Sequence, residues 1–243
     1  MAGHSKFKNI MHRKGAQDSK KAKKFTKVMR ELIVAAKSGS IDPATNFRLR
    51  HAIDAAKMIN MPKSKIDGAI KKVSGEDGNS YEEIFYSGYG PDGVAVMVRT
   101  LTDNKARTAS DVRLIFSKCG AHLAEKTSLS HLFDRVVVIY YAESAAQSED
   151  DMLSSVIDAG ADDCFLDGDE YSVICQVSSA NDVKQLLDSQ LACESKNMEI
   201  MWRPIRFVDL ANDDSFNKLQ KLVDLLDAND DVQDVVTNAA TKE

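Results

Sequence analysis

The apolar positions of the chain change their period along its length. Phe25, Val28, Met29, Leu32, Ile33 and Ala36 recur at the i, i+3, i+4, i+7 spacing of one helical face, and Gly39 ends the run. Asp42-Pro43 predicts an N-cap with proline in the first helical position. The helix that follows has Leu49, Ala52, Ile53 and Ala56 on its apolar face, with Arg48, Arg50 and Lys57 elsewhere. Asn60-Met61-Pro62 interrupts, and Ile66, Ala69, Ile70 and Val73 predict a short third helix. Residues 75–80, GEDGNS, form a polar linker.

Beyond the linker the pattern turns to strands. Ile84–Tyr89 and Val94–Thr102 are rich in β-branched and aromatic residues, and Gly90-Pro91-Asp92-Gly93 between them is a turn. Asp103-Asn104 caps a helix with Ala109, Val112, Ile115, Phe116 and Cys119 inward, and Gly120 ends it. Ser128–Phe133 predicts a strand. Then come a strand at Val136–Tyr141, a helix at Glu149–Ala159, strands at Cys164–Leu166 and Tyr171–Val177, a helix at Asn181–Ala192 on Val183, Leu186, Leu187 and Leu191, and a strand at Met198–Arg203. This βαββαβ order is ferredoxin-like. A strand at Ile205–Val208, a helix on Phe216, Leu219, Leu222, Val223 and Leu226, and a strand at Val232–Val236 close the chain.

Charge adds what periodicity does not. Residues 1–75 hold 18 Lys and Arg against 5 Asp and Glu, a net of +13, while residues 76–243 hold 14 against 32, a net of −18. The positive charge is densest at the start, where Lys6, Lys8, Arg13, Lys14, Lys20, Lys21, Lys23 and Lys24 face only Asp18 within 26 residues. Such asymmetry points to a polyanionic partner. Cations that neutralise phosphates release counterions, which supplies affinity without sequence readout. The bland alternative is a solvated face. A membrane surface would need an apolar face or lipid anchor as well, and Phe7, Ile10 and Met11 make a poor one.

Other signals narrow the class. A length of 243 residues allows about one to three domains. No stretch approaches the roughly 20 apolar residues of a membrane span. There is no apolar export signal at the start, and one Arg against seven Lys in the arm is unlike a mitochondrial transit peptide. Cys119, Cys164, Cys175 and Cys193 are far apart, so free thiols in a reducing cytoplasm are expected.

Three apparent motifs do not hold. Gly88-x-Gly90-x-x-Gly93 matches a dinucleotide fingerprint, but a strand follows it where a helix is required. Cys119, His122 and His131 lack a fourth ligand for a structural zinc. Asp162–Glu170 lacks the order of a calcium loop and suits a solvated turn. No nucleophile motif appears. His4 and His12, in a lysine-rich arm, suit phosphate or backbone contact better than catalysis.

Several segments together resemble the YebC family: MAGHSKFKNIMHRKGAQDSKKAKKFTKVMREL, DPATNFRLRHAIDAAKMINMPKSKI, YSGYGPDGVAVMV, TDNKART and VQDVVTNA. Phe7 stands where that family usually has Trp, Cys119 where it often has His, and Val236 where it usually has Tyr. The resemblance implies a small helical domain and two α+β domains, the ferredoxin-like one inserted into the other. The boundaries read here are 1–79 for the arm and helical domain, 80–134 plus 204–243 for the discontinuous α+β domain, and 135–203 for the insert. It also implies non-enzymatic function, either DNA-binding transcriptional regulation or ribosome-associated translational activation. By position, His4, Ser5, Lys6, His12, Arg13 and Lys14 belong to an anion-binding arm, and Arg107 and Thr108 in TDNKART to a contact from the second domain.

The expected site is therefore nucleic-acid-binding. It comprises those residues with Lys8, Lys20, Lys21, Lys23, Lys24, Lys27, Arg30, Arg48 and Arg50. The expected partner is promoter DNA, or ribosomal RNA and tRNA on the ribosome, bound by a cytoplasmic monomer. No catalytic residue, metal, cofactor, small-molecule substrate or membrane is expected. The contrasting reading is a protein-interaction module whose basic arm docks on an acidic protein.

Overall fold

A computed structural model of the chain describes residues 21–73, 81–124 and 129–240. The linker at 75–80 and the first residue of the Ser128–Phe133 strand lie outside them. The fold is α+β, and its residues separate into two compact units, Phe133–Ile205 and the remainder.

The remainder begins with three helices, α1 (Lys21–Ser38), α2 (Phe47–Met58) and α3 (Lys63–Lys72). Their predicted faces meet. Leu32, Ala35, Ala36, Leu49, Ala52, Ala56, Met61, Ile66 and Ala69 form one buried cluster. Helix α2 starts later than Asp42-Pro43 predicts. Asp42 instead heads a turn, accepting from the backbone N–H of Thr45 and Asn46. Asn46 is the cap, and the reason is tertiary. Its Oδ1 accepts from Leu49 N at 3.0 Å, while its Nδ2 donates to the carbonyls of Ala35 and Ser40 at 2.8 and 2.6 Å. One buried amide thus closes α1 and opens α2. At the other end of α2, Asn60 adopts a left-handed φ of 56°, and Met61 N reaches back to Ala56 O at 2.9 Å. This C-cap turns the chain before Pro62 and tucks Met61 into the core.

The same unit contains a four-stranded antiparallel sheet whose two middle strands are the 82–89 and 95–102 hairpin, flanked by 122–123 on one side and 232–237 on the other. Its strands are β1 (Glu82–Tyr89), β2 (Ala95–Thr102), β3 (His122–Leu123) and β9 (Val232–Thr237). Helices α4 (Lys105–Lys118) and α7 (Asp213–Asp227) bury Val112, Phe116, Leu219, Leu222 and Leu226 against Val94, Val96 and Val98. Strand β9 lies beside β2, with Val96 opposite Thr237 and Val98 opposite Val235, although the two are far apart in the chain. The expected strand at Ile205–Val208 is reduced to β8 (Val208–Asp209), which pairs in parallel with β10 (Ala239–Ala240). Phe216 is exposed rather than on the inner face of α7.

Residues Phe133–Ile205 form the ferredoxin-like unit. Its elements are β4 (Phe133–Ala142), α5 (Glu149–Asp158), β5 (Asp163–Asp167), β6 (Glu170–Gln176), α6 (Ala180–Gln190) and β7 (Asn197–Pro204), with strand order β5-β6-β4-β7. The predicted strand before it is a 3₁₀ turn at Ser130–Leu132 leading directly into β4. Leu186 points out from α6 instead of joining Val183 and Leu187.

The glycine fingerprint has a packing explanation. Gly88 and Gly90 sit at the end of the β1–β2 hairpin, where a single 3₁₀ turn at Pro91–Gly93 leads into β2 and no α-helix follows. A Cβ on Gly88 would lie 2.4 Å from the His122 carbonyl oxygen and 2.5 Å from Phe116 Cε1. Glycine lets β3 and α4 close on β1. Gly88→Ala is therefore expected to cost about 1–3 kcal/mol through overpacking. Urea unfolding should show a lower midpoint at unchanged slope; an unchanged midpoint would refute this role.

Candidate nucleic-acid interface

Of the residues that the sequence assigns to phosphate contact, His4, Ser5, Lys6, Lys8, His12, Arg13, Lys14 and Lys20 lie outside the described residues. Lys21 opens α1, and Lys24 is half-buried on it and engaged in interactions of its own.

Lys23, Lys27 and Arg30 share one face of α1, because residues three and four apart are neighbours on a helix. That face meets the end of α7 and the start of β9. Lys23 Nζ donates to the Ala228 carbonyl at 2.5 Å and stands 3.8 Å from Asp230. Lys27 Nζ lies 4.0 Å from Asp227 and 3.5 Å from the Gln233 carbonyl oxygen. Burial pulls the Lys27 ammonium below its ordinary range, further than Asp227 and Asp234 restore it. Arg30 donates to Asp231 at 2.7 Å and to the carbonyls of Leu101 and Asp230 at 3.1 and 2.5 Å. Its guanidinium lies 5.2 Å from the centroid of the Tyr81 ring.

Asp231 is the centre of this arrangement. Its side chain is 5% exposed. Besides Arg30, it accepts from Arg107 Nη2 at 2.8 Å, Thr108 Oγ1 at 2.6 Å and Thr102 Oγ1 at 3.3 Å. Burial pushes its carboxyl up, but the hydrogen bonds from Thr108, Arg107 and Arg30 outweigh burial and hold it below the usual carboxylate range. The TDNKART segment is built around this carboxylate. Asn104 caps α4 by accepting from Arg107 N at 3.0 Å, and Asp103 holds Arg107 Nη2 at 2.9 Å. Thr108 is fully buried, with its hydroxyl committed to Asp231 and Thr102, and Arg107 is partly exposed with two carboxylates on it.

A second network runs beside the first. Arg48 donates to Glu31 at 2.7 Å and to both oxygens of Glu83 at 2.8 and 3.2 Å. Arg99 on β2 donates to Asp234 at 2.7 Å, Glu31 at 2.9 Å and Glu83 at 3.0 Å. Burial alone would raise the Glu31 carboxyl, but Arg99 and Arg48 outweigh it and hold it low. The Arg99 guanidinium is held well above its ordinary value: burial opposes its charge, and Asp234 and Glu31 more than compensate. Arg50 is exposed and fastens the 42–45 turn by donating to the carbonyls of Pro43 and Ala44 at 3.1 and 3.0 Å.

The described part of the expected phosphate set thus mostly faces carboxylates of its own chain. The residues missed by the sequence reading are those acceptors: Glu31, Glu83, Asp227, Asp230, Asp231 and Asp234. For the four aspartates the signal was a cluster of acids at 224, 227, 230, 231 and 234 near the chain's end; Glu31 and Glu83 carried no such pattern. Lys63, Lys65 and Lys71 of α3 are among the exposed cations of the described residues.

Other chemistry is not assembled. Among the described residues no three His, Cys, Asp or Glu side chains gather as a metal site. Burial, with nearby carboxylates, pushes the Cys164 and Cys175 thiols up to about 12, so neither is a thiolate at neutral pH. None of the described helices is long and apolar enough to cross a membrane.

Residues 5–76 match the family model described as the TACO1/YebC protein N-terminal domain. Residues 81–239 match that of the TACO1/YebC second and third domain, a model designated for transcriptional regulation. The chain belongs to the TACO1/YebC family. A crystal structure of a conserved hypothetical protein from Aquifex aeolicus, Aq1575, is similar to it over 93% of each chain, with 37% identity and a TM-score of 0.81. This TACO1/YebC chain is therefore of the regulatory type, as its resemblance implied.

Replacing Asp231 tests the hub. Asp231→Ala strands a buried guanidinium and two hydroxyls and should cost about 3 kcal/mol in urea unfolding. Because the folded carboxyl is depressed, its contribution is complete above the unfolded value of about 3.9 and is lost as pH falls through the lower folded value. Asp231→Asn should therefore lose stability at neutral pH and flatten the acid limb of the stability profile. An acid limb identical to that of the unmodified protein would contradict this assignment.

Proposed function

We propose that this protein is a nucleic-acid-binding regulator of gene expression whose segment 1–20 grips a phosphate backbone, with ribosomal RNA or tRNA as the target. The observation that carries this reading is the division of the cations. Lys23, Lys27, Arg30, Arg48 and Arg107 are matched by carboxylates of the same chain. Lys6, Lys8, Arg13, Lys14 and Lys20 belong to a stretch with Asp18 as its sole acid. Excess positive charge is what attracts a polyanion.

The RNA target is favoured over promoter DNA by the kind of side chain on offer. The exposed cations of α3 are Lys63, Lys65 and Lys71, which act as point charges beside the exposed Asp67. Duplex sequence is read in the major groove mainly by Arg, Asn and Gln pairs on base edges. Contact by charge and shape suits folded RNA. In this reading the protein works in the cytoplasm as a monomer, without catalysis or cofactor.

Crosslinking in cells followed by sequencing of bound nucleic acid tests the target. Ribosomal RNA or tRNA in excess is expected; enrichment of promoter DNA would favour the transcriptional form instead. In vitro, Lys6, Lys8, Arg13 and Lys14 changed together to Ala should weaken tRNA binding. The slope of log affinity against log salt should also fall by about 2–3, at roughly 0.7 per single-strand phosphate contact. A salt-independent affinity would overturn phosphate binding and favour docking of the arm on an acidic protein.

A further inference from the structure

The ferredoxin-like unit carries charge of one sign. Residues 133–205 hold 4 Lys and Arg against 15 Asp and Glu, a net of −11. Between Arg135 and Lys184 there are 11 acids and no Lys or Arg. The few cations are already engaged. Lys184 pairs with Asp188, Lys196 with Glu170 at 2.8 Å and Arg203 with Asp163 at 4.0 Å, and Arg135 has interactions of its own. Such a surface repels phosphate, so the nucleic-acid reading gives this unit no part to play.

Helix α5 adds an apolar feature to this surface. Met152 and Val156 are 0 and 1% exposed and form its inner face. Leu153 and Ile157, each one position further round, are 47 and 65% exposed. Spaced four apart, they are neighbours on the outer face. Helix α6 packs beside α5 and repeats the arrangement: Val183 and Leu187 are buried, and Leu186 is 47% exposed. Local helix chemistry does not call for these residues. Ser148 caps α5, and Glu149, Asp150 and Asp151 in its first turn suit the positive end of the helix dipole. Asp158 sits in the last turn, where an acid is unfavourable and no base offsets it. Ile157 beside it exposes an apolar side chain on the face that faces water. Asp150 and Asp158 form no ion pair among the described residues. Departures from local rules are expected where a surface serves another purpose.

We propose that the outer face of these two helices docks a lysine- and arginine-rich amphipathic helix of a partner protein. Leu153, Ile157 and Leu186 supply the apolar contact, and Asp150, Asp158 and Asp182 meet the cations that flank the partner's apolar stripe. Side chains at i and i+4 form the kind of ridge that fits the groove of a second helix. Charge selects the occupant. A nucleic acid or an anionic lipid surface is repelled by a unit of net −11. The same unit of a second copy is repelled equally, because a two-fold contact would set like charge against like. A cationic helix gains on both counts, burying apolar area while its charges steer it to the acidic face. This inference goes beyond the nucleic-acid reading and does not depend on it.

The test uses the full chain and a synthetic peptide of about 18 residues, long enough to be helical in water, with Leu at helical spacing and Lys elsewhere. A peptide of the same composition with its Leu positions scrambled controls for charge alone. Backbone amide NMR shifts on adding the periodic peptide should concentrate in 149–158 and 180–190. Leu153→Gln with Ile157→Gln should weaken the periodic peptide roughly tenfold and leave the scrambled one unchanged. Asp150→Lys with Asp158→Lys, which touches no buried residue, should weaken it as well and flatten its salt dependence. Both variants should bind tRNA as the unmodified protein does. Equal affinity for the two peptides, or shifts outside the two helices that the Gln variant leaves in place, would overturn the docking face. Self-association of the unmodified chain that the Gln variant abolishes would assign the face to a second copy instead, and loss of tRNA binding in that variant would assign it to nucleic acid. Peptide binding at α5 and α6 by a protein that binds no tRNA would overturn the phosphate-binding reading alone.

Discussion

One carboxylate holds the larger unit together. Asp231 collects the guanidinium of Arg30 from the first helix, that of Arg107 from α4, and the hydroxyls of Thr102 and Thr108 at the junction of β2 and α4. A buried ion is costly unless its lone pairs are filled, and here they are filled from three different elements. The backbone of Asp231 contributes too, since its carbonyl accepts from Leu101 N at 2.8 Å. The position at which β9 enters the sheet is thereby tied to the position of the helical head. Moving either would strand charge in a place that water does not reach.

This constraint changes the meaning of the charge asymmetry. A basic segment and an acidic body invite the picture of one end for the ligand and the other for solubility. The structure divides the chain differently. Lys23, Lys27 and Arg30 of α1 are the fold's own counter-ions, whereas the sequence of the stretch before them holds Asp18 as its one acid. Charge density alone does not separate the two roles; helical phase does, because Lys23, Lys27 and Arg30 fall on a single stripe facing Asp227, Asp230 and Asp231.

Much of the architecture was legible in the sequence because it is local. The faces Leu32–Ala36, Leu49–Ala56 and Ile66–Ala69 follow from a 3.6-residue period, and the βαββαβ order follows from the change of period at each turn. What escaped is set by partners distant in the chain. Asp42-Pro43 has the local form of a helix start, yet Asn46 wins because its amide also satisfies the carbonyls of Ala35 in the last turn of α1 and of Ser40 just beyond it. The alliance of β9 with β2 is invisible to periodicity, and only the family resemblance implied it. The family resemblance placed Arg107 and Thr108 of TDNKART by position alone; that the Thr108 side chain points into the protein and that Asn104 and Asp103 bond Arg107 depend on the folded neighbours. Gly88 looked like a nucleotide motif because the pattern records the glycine and not its reason, which is the close approach of Phe116 and His122.

Ionic coupling between Arg30 and Asp231 ties the helical head to the start of β9. A double-mutant cycle between Arg30 and Asp231 measures it directly, using Arg30→Met, Asp231→Asn and the pair in urea unfolding. A coupling energy above about 1 kcal/mol is predicted for a desolvated charge pair. Additive effects, within about 0.3 kcal/mol, would contradict the claim.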